Sequence, residues 1–368
     1  MKSIASFKSL KGKTVLLRAD FNVPIKNNRV VDDFRIKAVL PTLKHLTKLG
    51  ASVIIVSHAG DDGSQSLAPV AKTLARYINV RFVKDTLPKK LSLKPKEIVL
   101  LENIRREKGE KKNDPKLAKA LASYANLYVN DAFPVSHRAH ASLVGVPTYL
   151  PSYAGFQLEK EVKHLDIALK KPKRPFLFFL GGAKFETKMP LIKRFIKSAD
   201  YVFVGGALAN DFLKASGFEV GTSLVEGKWN LKPLLKNKKL LLQTDAVLWN
   251  GKTSRVARIE DIQKDEAIMD IGPETAKLLS QAVKKAKTVL WNGPFGKYEE
   301  SYAKKGTQQV LQVLAKNKTC MSIIGGGDIV AVVSSMNLEK KFSFVSTGGG
   351  ATLEFLAKGT LPGIKVLK

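Results

Sequence analysis

The chain has 368 residues, of which 44% are hydrophobic, and 62 Lys and Arg face 32 Asp and Glu for a formal net charge of +30. That length suits two domains, the hydrophobic share is that of a soluble globular protein, and no apolar run reaches the length of a membrane span. The opening residues lack the apolar core of a secretion signal, and the single Cys320 excludes an internal disulfide and fits a reducing cytoplasm.

The charge admits a solvated Lys-rich surface, steering of small anions, or nucleic acid. The lysines are spread along the chain, and no nucleic-acid-binding motif accompanies them, so nucleic acid is not an expected partner.

Short β-branched or aromatic runs alternate with stretches of helical periodicity. Strands are expected over residues 14–18, 52–57, 97–102 and 126–130, with helices over 36–49, 67–77 and 115–124. An amphipathic stretch over 156–169, followed by the Pro-rich 170–175, reads as a connecting helix. Beyond it, strands are expected over 176–180, 201–204, 289–291, 322–324 and 342–345, and helices over 189–198, 274–285 and 307–316. The alternation predicts an α/β fold: two doubly wound, Rossmann-like parallel-sheet domains joined by a hinge helix. The expected division is 1–155, a connecting helix over 156–170, 171–350, and a segment over 351–368 returning toward the hinge and the N-terminal domain.

In open α/β sheets, ligands bind beyond the carboxyl ends of the strands. Those ends differ between the two halves. In the first they carry Arg18, Asp20, Asn22, His58, Arg105 and, just after a strand, Arg138. Arginine grips carboxylate and phosphate in a bidentate fork, so this half suits a small, highly charged acid. In the second half the strands run into Gly181-Gly182-Ala183-Lys184, Gly205-Gly206, Gly325-Gly326-Gly327-Asp328 and Ser346-Thr347-Gly348-Gly349-Gly350. Bare backbone amides at such turns approach anions closely, and a following helix N-terminus adds attraction. This half suits a nucleotide polyphosphate, and the pair of sites implies phosphoryl transfer.

Several motifs follow one another in a telling order: residues 18–24 (Arg-Ala-Asp-Phe-Asn-Val-Pro), 101–105 (Leu-Glu-Asn-Ile-Arg), 130–133 (Asn-Asp-Ala-Phe) and 136–140 (Ser-His-Arg-Ala-His). After them come Gly-Gly-Ala-Lys at 181–184, Asp-Ile-Gly-Pro-Glu at 270–274, Trp-Asn-Gly-Pro-Phe-Gly at 291–296, Gly-Gly-Gly-Asp at 325–328 and Ser-Thr-Gly-Gly-Gly at 346–350. In this order and spacing the chain resembles the phosphoglycerate kinases along nearly its whole length. The resemblance implies a monomeric, cytoplasmic, hinge-bending enzyme that moves a phosphoryl group between 1,3-bisphosphoglycerate and ADP, giving 3-phosphoglycerate and MgATP.

By the same resemblance, Arg18, Asp20, Asn22, Arg35, His58, Arg105 and Arg138 would hold the acid. Gly182, Gly205, Gly206, Leu224, Gly272, Asn292, Pro294 and Glu299 would hold the nucleoside side of ATP or ADP. Lys188 and the turn Gly325, Gly326, Gly327 would meet its phosphates. Lys184, with Arg35 and the amides of Gly326, Gly349 and Gly350, would follow the transferring group, and Asp328 would hold Mg²⁺. Because the acceptor is an ionised carboxylate, no general base is required.

The chain departs from the family pattern in places. Asp61 stands where the family usually has an arginine near the acid, and Ile329 where it has Thr or Ser. Ala207 replaces a glycine, Thr222 a lysine, and Gln243 a proline. A nicotinamide-dependent enzyme is disfavoured because no Gly-x-Gly-x-x-Gly is present. The remaining alternative is a divergent or weakly active kinase-fold protein with a basic nucleic-acid-binding surface.

Overall fold

The computed structural model describes residues 1–367 and divides into two compact units, Met1–Lys163 with Lys358–Lys368 and His164–Ala357. The first holds strands β1 (Thr14–Ala19), β2 (Ile25–Lys26), β3 (Arg29–Val30), β4 (Ser52–Val56), β5 (Arg81–Val83), β6 (Ile98–Leu101), β7 (Leu127–Asp131) and β8 (Ser152–Ala154). Its helices are α1 (Phe34–Lys48), α2 (Ala68–Leu74) and α3 (Pro115–Ala122), and α4 (Phe156–Lys170) carries the chain into the second unit. Six of these strands form one parallel sheet in the order β5-β6-β4-β1-β7-β8, and β2 and β3 form a small hairpin.

The second unit holds helices α5 (Phe185–Ser198), α6 (Ala207–Ala215), α7 (Lys232–Leu235), α8 (Pro273–Lys285), α9 (Lys305–Lys316), α10 (Gly327–Ser335) and α11 (Gly350–Lys358). Its large sheet joins β9 (Phe176–Leu180), β10 (Tyr201–Val204), β11 (Leu240–Leu241), β15 (Thr288–Asn292), β16 (Met321–Gly325) and β17 (Phe344–Val345), in the order β11-β10-β9-β15-β16-β17 and parallel throughout. A separate antiparallel sheet of β12 (Asp245–Trp249), β13 (Ser254–Arg258) and β14 (Ala267–Ile271) interrupts the alternation.

Strands covered on both faces must be apolar along their whole length, which is why all of Phe176-Leu-Phe-Phe-Leu180 is buried. Their side chains pack against the apolar stripes of the helices, Ile36, Val39, Leu43 and Leu46 of α1 in the first unit and Ala276, Leu279 and Val283 of α8 in the second. Each such Val, Leu or Ile side chain contributes about 1.5–3 kcal/mol on leaving water. Helix starts follow capping chemistry: Asp114 accepts from the Lys116 and Leu117 amides ahead of α3, with Pro115 at the first helical position.

Three differences from the sequence expectation have physical causes. The strand expected over 342–345 is only Phe344–Val345, because Ser322 and Ser343 exchange amide-to-hydroxyl bonds at 3.1 and 3.0 Å in place of ladder pairing. The antiparallel sheet escapes notice because β13 is exposed and polar, with no apolar alternation to mark it. Helix α5 begins at Phe185, earlier than the expected residue 189, so Lys184 becomes its N-cap residue. At the far end, the tail after α11 joins the first unit: the Gly363 amide donates to Ser136 O at 2.8 Å, and Asn130 Nδ2 donates to Gly363 O at 3.0 Å.

Candidate active site

In the first unit the register places the strand ends side by side, with Arg18 opposite Val56 and Ala19 opposite Asp131. The groups that follow form one hydrogen-bonded chain. Arg18 is 1% exposed, and its guanidinium donates to Ser142 Oγ, Ala19 O and His58 Nδ1. Since arginine only donates, Nδ1 of His58 is the acceptor and the ring proton sits on Nε2. Burial drives His58 down to about 3, against the pull of Asp20 and helped by the neighbouring arginine charges, so the ring is neutral.

Glu110, fully buried, sits under this group and accepts from the Ser142 amide and hydroxyl at 3.0 and 2.6 Å. Arg18 thus lies beneath the site, each of its three nitrogens donating to the protein, and orients His58. Asp20 accepts from the Asn22 amide at 2.9 Å and pairs with Arg35 Nη1 at 3.4 Å. Burial opposes its ionisation, but Arg35, His58, the Asn22 amide and Arg18 together hold the carboxyl below its usual range.

Arg35 is half-buried at the start of α1 and also donates to Asn22 O at 3.0 Å. Asn22 Oδ1 accepts from the Gly60 amide, and Gly60 O accepts from Arg105 Nη1, which also meets Asp61. Arg138 is exposed on the loop after β7. Arg35, Asn22 and Arg105 are therefore tied into one framework, with Arg18 and His58 as its buried floor.

In the second unit the turns after β9, β10 and β15 are stitched to one another. The Gly181 amide donates to Asn292 O, Gly182 to Pro294 O, Gly206 to Phe295 O and Leu208 to Gly182 O, at 2.8–3.1 Å. Gly206 has φ +63° and ψ −161°, a glycine-only conformation, and a Cβ there would stand 2.6 Å from the Gly182 nitrogen. These turns border a cavity of about 350 Å³. Of the expected nucleotide residues, Gly182, Gly206, Leu224, Pro294, Glu299 and Asp328 line it.

Gly205 and Gly272 are buried instead: a Cβ on them would strike Phe295 at 2.7 Å and the Asp245 carboxyl at 2.2 Å. They let neighbouring segments approach, and they do not face the cavity. Asn292 is also buried, beneath Gly326.

Lys184 is exposed at the N-cap of α5. Lys188, one turn on, is buried and donates from Nζ to Gly181 O at 2.5 Å. Burial, helped by the charge of Lys184 and opposed by Asp328, lowers its pKa to about 8. Gly326 is the N-cap of α10, and Asp328 is exposed in that helix's first turn. Ile329 turns inward and is fully buried with Val332 and Val333, so the hydroxyl expected at this place is replaced by core packing. A Cβ on Gly327 or Gly350 would meet nothing within 4 Å, and neither glycine has a positive φ. The fold itself does not require glycine there.

A family model described as "Phosphoglycerate kinase" matches residues 4–359. The chain belongs to the phosphoglycerate kinase family. It is 43% identical over 381 residues to the phosphoglycerate kinase of Dictyoglomus turgidum, covering 98% of this chain and 96% of that one. It is also 43% identical to the phosphoglycerate kinase of Thermus thermophilus, covering 97% of each chain. The solved structure of phosphoglycerate kinase from Coxiella burnetii superposes with a TM-score of 0.89 at 38% identity, covering 99% of this chain and 98% of the other.

In this phosphoglycerate kinase fold, several cavity residues lie outside the sequence expectation: Asn210, Thr222, Ala267, Ile268, Met269 and Tyr298. Three come from β14, whose Asp270 is part of a motif in the sequence while the strand itself was not expected. Thr222, where the family usually carries lysine, is one of the walls. Phe295 lines the cavity from the core side, stacked on Trp291 at 4.5 Å.

Proposed function

We propose that the 350 Å³ cavity of the second unit binds ADP or ATP and that the arginine-rich strand ends of the first unit bind the phosphoglycerate. The family's reaction, phosphoryl transfer between a carboxyl-bound phosphate and ADP, is the activity of this chain, and the residue roles are the proposal. The supporting observation is the glycine pattern. Gly182 and Gly206 are demanded by the fold at the cavity mouth, whereas Gly327 and Gly350 satisfy no internal need and open onto free space. Amides at the N-termini of α10 and α11 then cradle phosphate oxygens without a Cβ in the way.

On this reading the nucleoside lies between Gly182–Gly206 on one side and Leu224, Pro294 and β14 on the other, with Glu299 accepting ribose hydroxyls. Lys188 and the turn at 325–327 meet the phosphates, and Lys184 and the amides of Gly349 and Gly350 follow the transferring group. Arg35, Arg105, Asn22 and Arg138 grip the acid, and Asp20 with His58 orients them. Arg18 positions His58. Loose phosphoryl-transfer transition states need positioning and neutralised oxygens, which these groups supply.

The chemistry of Asp328 fits a magnesium–nucleotide complex: an exposed, ionisable oxygen donor beside the cavity, and Mg²⁺ takes its remaining ligands from phosphate and water. When bound, the ion neutralises charge on the phosphate oxygens. No helix among the described residues is long and apolar enough to cross a membrane. A monomer in the cytoplasm, where buried Cys320 stays reduced, is part of the proposal, and nucleic acid is not.

The test is a coupled assay of MgATP with 3-phosphoglycerate. Wild type is expected to turn over, and Lys184→Ala and Arg35→Ala to lose about 10²-fold or more in kcat/KM. Wild-type rates in both variants would remove the mechanism.

A further inference from the structure

The loop after β4 brings two neighbouring carboxylates to the first unit's strand ends, and they behave differently. Asp62 serves the loop, accepting from the Ser64 amide and hydroxyl at 3.0 and 2.7 Å. Asp61 does not. Its side chain is 96% exposed, yet it reaches Arg105 Nη1 at 2.5 Å, and the Arg105 side chain is only 7% exposed. The same Nη1 donates to Gly60 O, and the buried Arg105 Nε has no hydrogen-bond partner. The guanidinium is therefore fixed by the loop, with donor capacity left over. Its carboxylate partner is held at one end alone and stands in water.

We propose that Asp61 is an internal stand-in for the acid: it occupies Arg105 in the empty enzyme and gives way to the incoming carboxylate or phosphate. The proposal rests on the acid-site reading above and deepens it by naming the residue that sets acid affinity. An exposed carboxylate pays little to leave, because water replaces the guanidinium around it at once. The Arg105 side chain is largely covered and under-satisfied, so it must always have an anion. Asp61 thus keeps the arginine oriented between turnovers and weakens the bound acid by competing with it. It also lowers the positive charge of the site by one unit, where the family pattern adds one.

Steady-state kinetics with 3-phosphoglycerate varied at saturating MgATP, together with calorimetric titration of 3-phosphoglycerate without nucleotide, test this on the whole enzyme. Asp61→Asn is expected to lower both KM and Kd for the acid about two- to fivefold, the worth of an exposed ion pair, with kcat within about twofold and the KM of MgATP unmoved. Asp61→Arg is expected to lower them about tenfold, since a repulsion becomes an attraction. The gain should shrink at high salt. Asp62→Asn, whose carboxylate faces Ser64, is expected to leave the acid KM unchanged.

Unchanged or raised KM and Kd in a folded Asp61→Asn variant would overturn the proposal. So would an equal drop in Asp62→Asn, which would mark a general charge effect. Wild-type enzyme that binds no 3-phosphoglycerate would instead overturn the acid-site reading beneath it.

Discussion

Lys188 offers a test in which stability and function move in opposite directions. Its ammonium is buried against the Gly181 carbonyl and has been drawn from the usual 10.5 down to about 8, first by burial. A lysine with a folded pKa below its unfolded value is a liability while it is charged: the unfolded chain binds the proton more tightly, and native stability rises as pH climbs through that window. Between a folded value near 8 and an unfolded one near 10.5, the cost is about 3 kcal/mol at pH 7 and falls to about 1 kcal/mol at pH 10.

Lys188→Met keeps the length and apolar stem while removing the charge. It also leaves the Gly181 carbonyl without this donor, a loss of about 1 kcal/mol. The net expectation is a variant about 2 kcal/mol more stable than wild type at pH 7 and indistinguishable from it at pH 10. On the proposed role of Lys188, the same substitution deletes a charge-assisted contact to nucleotide phosphate worth about 1.5–3 kcal/mol, so ATP affinity should fall about 10–100-fold. Urea unfolding followed by circular dichroism at the two pH values, with ATP titration alongside, reads all three quantities. A variant destabilised at pH 7, or shifted equally at both pH values, would refute the reasoning, because the ammonium would then be stabilising where it sits.

Two further substitutions probe the floors of the two sites. Gly206→Ala places a Cβ 2.6 Å from the Gly182 nitrogen in a backbone conformation reserved for glycine; it is expected to cost about 3 kcal/mol in urea unfolding and to weaken ATP binding, and an unchanged midpoint would show that these turns are not held together as described. Glu110→Gln removes the fully buried carboxylate near Arg18, which burial already pushes down and Glu110 pulls up. A loss of about 3 kcal/mol is expected, with a further drop in acid affinity as His58 loses its fixed neighbour; a variant of wild-type stability would mean that Asp20 alone suffices as the counter-charge.

The parts of the molecule that were legible in its sequence are those where one local rule governs. Phe176–Leu180 reads as a strand because every position is apolar, and it is a central strand because both faces are covered. The Gly-Gly turns read as anion sites because they follow such strands. Their division of labour was not legible. Gly205 and Gly272 have the same sequence look as Gly206 and Gly327, yet the first two are required by Phe295 and Asp245, residues far along the chain. Arg18 reads as a ligand because it ends a strand among other polar groups. Only the fold shows that β1 lies between β4 and β7, so that Arg18 falls under cover and must be met by Glu110 and Ser142. The wall supplied by β14 was harder to read for another reason: its Ala-Ile-Met run is short and only partly buried, and the antiparallel sheet it joins is completed by β13, which is exposed and polar and leaves no apolar mark in the sequence.

The contrast between the two sites has an energetic logic. At the proposed acid site the arginines are held close to the sheet, and each has a carboxylate nearby: Asp20 for half-buried Arg35, Glu110 near the buried Arg18 of the floor, and Asp61 for Arg105. On the proposed reading the acid site is an ion network that a substrate would enter by exchange, with an affinity limited by what it displaces. The nucleotide site is built mostly from amides at helix N-termini, which carry no net charge, need no counter-ion and lose little when the site is empty. Its one buried cation, among the described residues lining or backing these turns, is Lys188, which burial draws down to about 8 against the partial pull of Asp328. A polyphosphate would return it to the charged state, so nucleotide binding near pH 8 should take up protons, with an uptake that Lys188→Met abolishes.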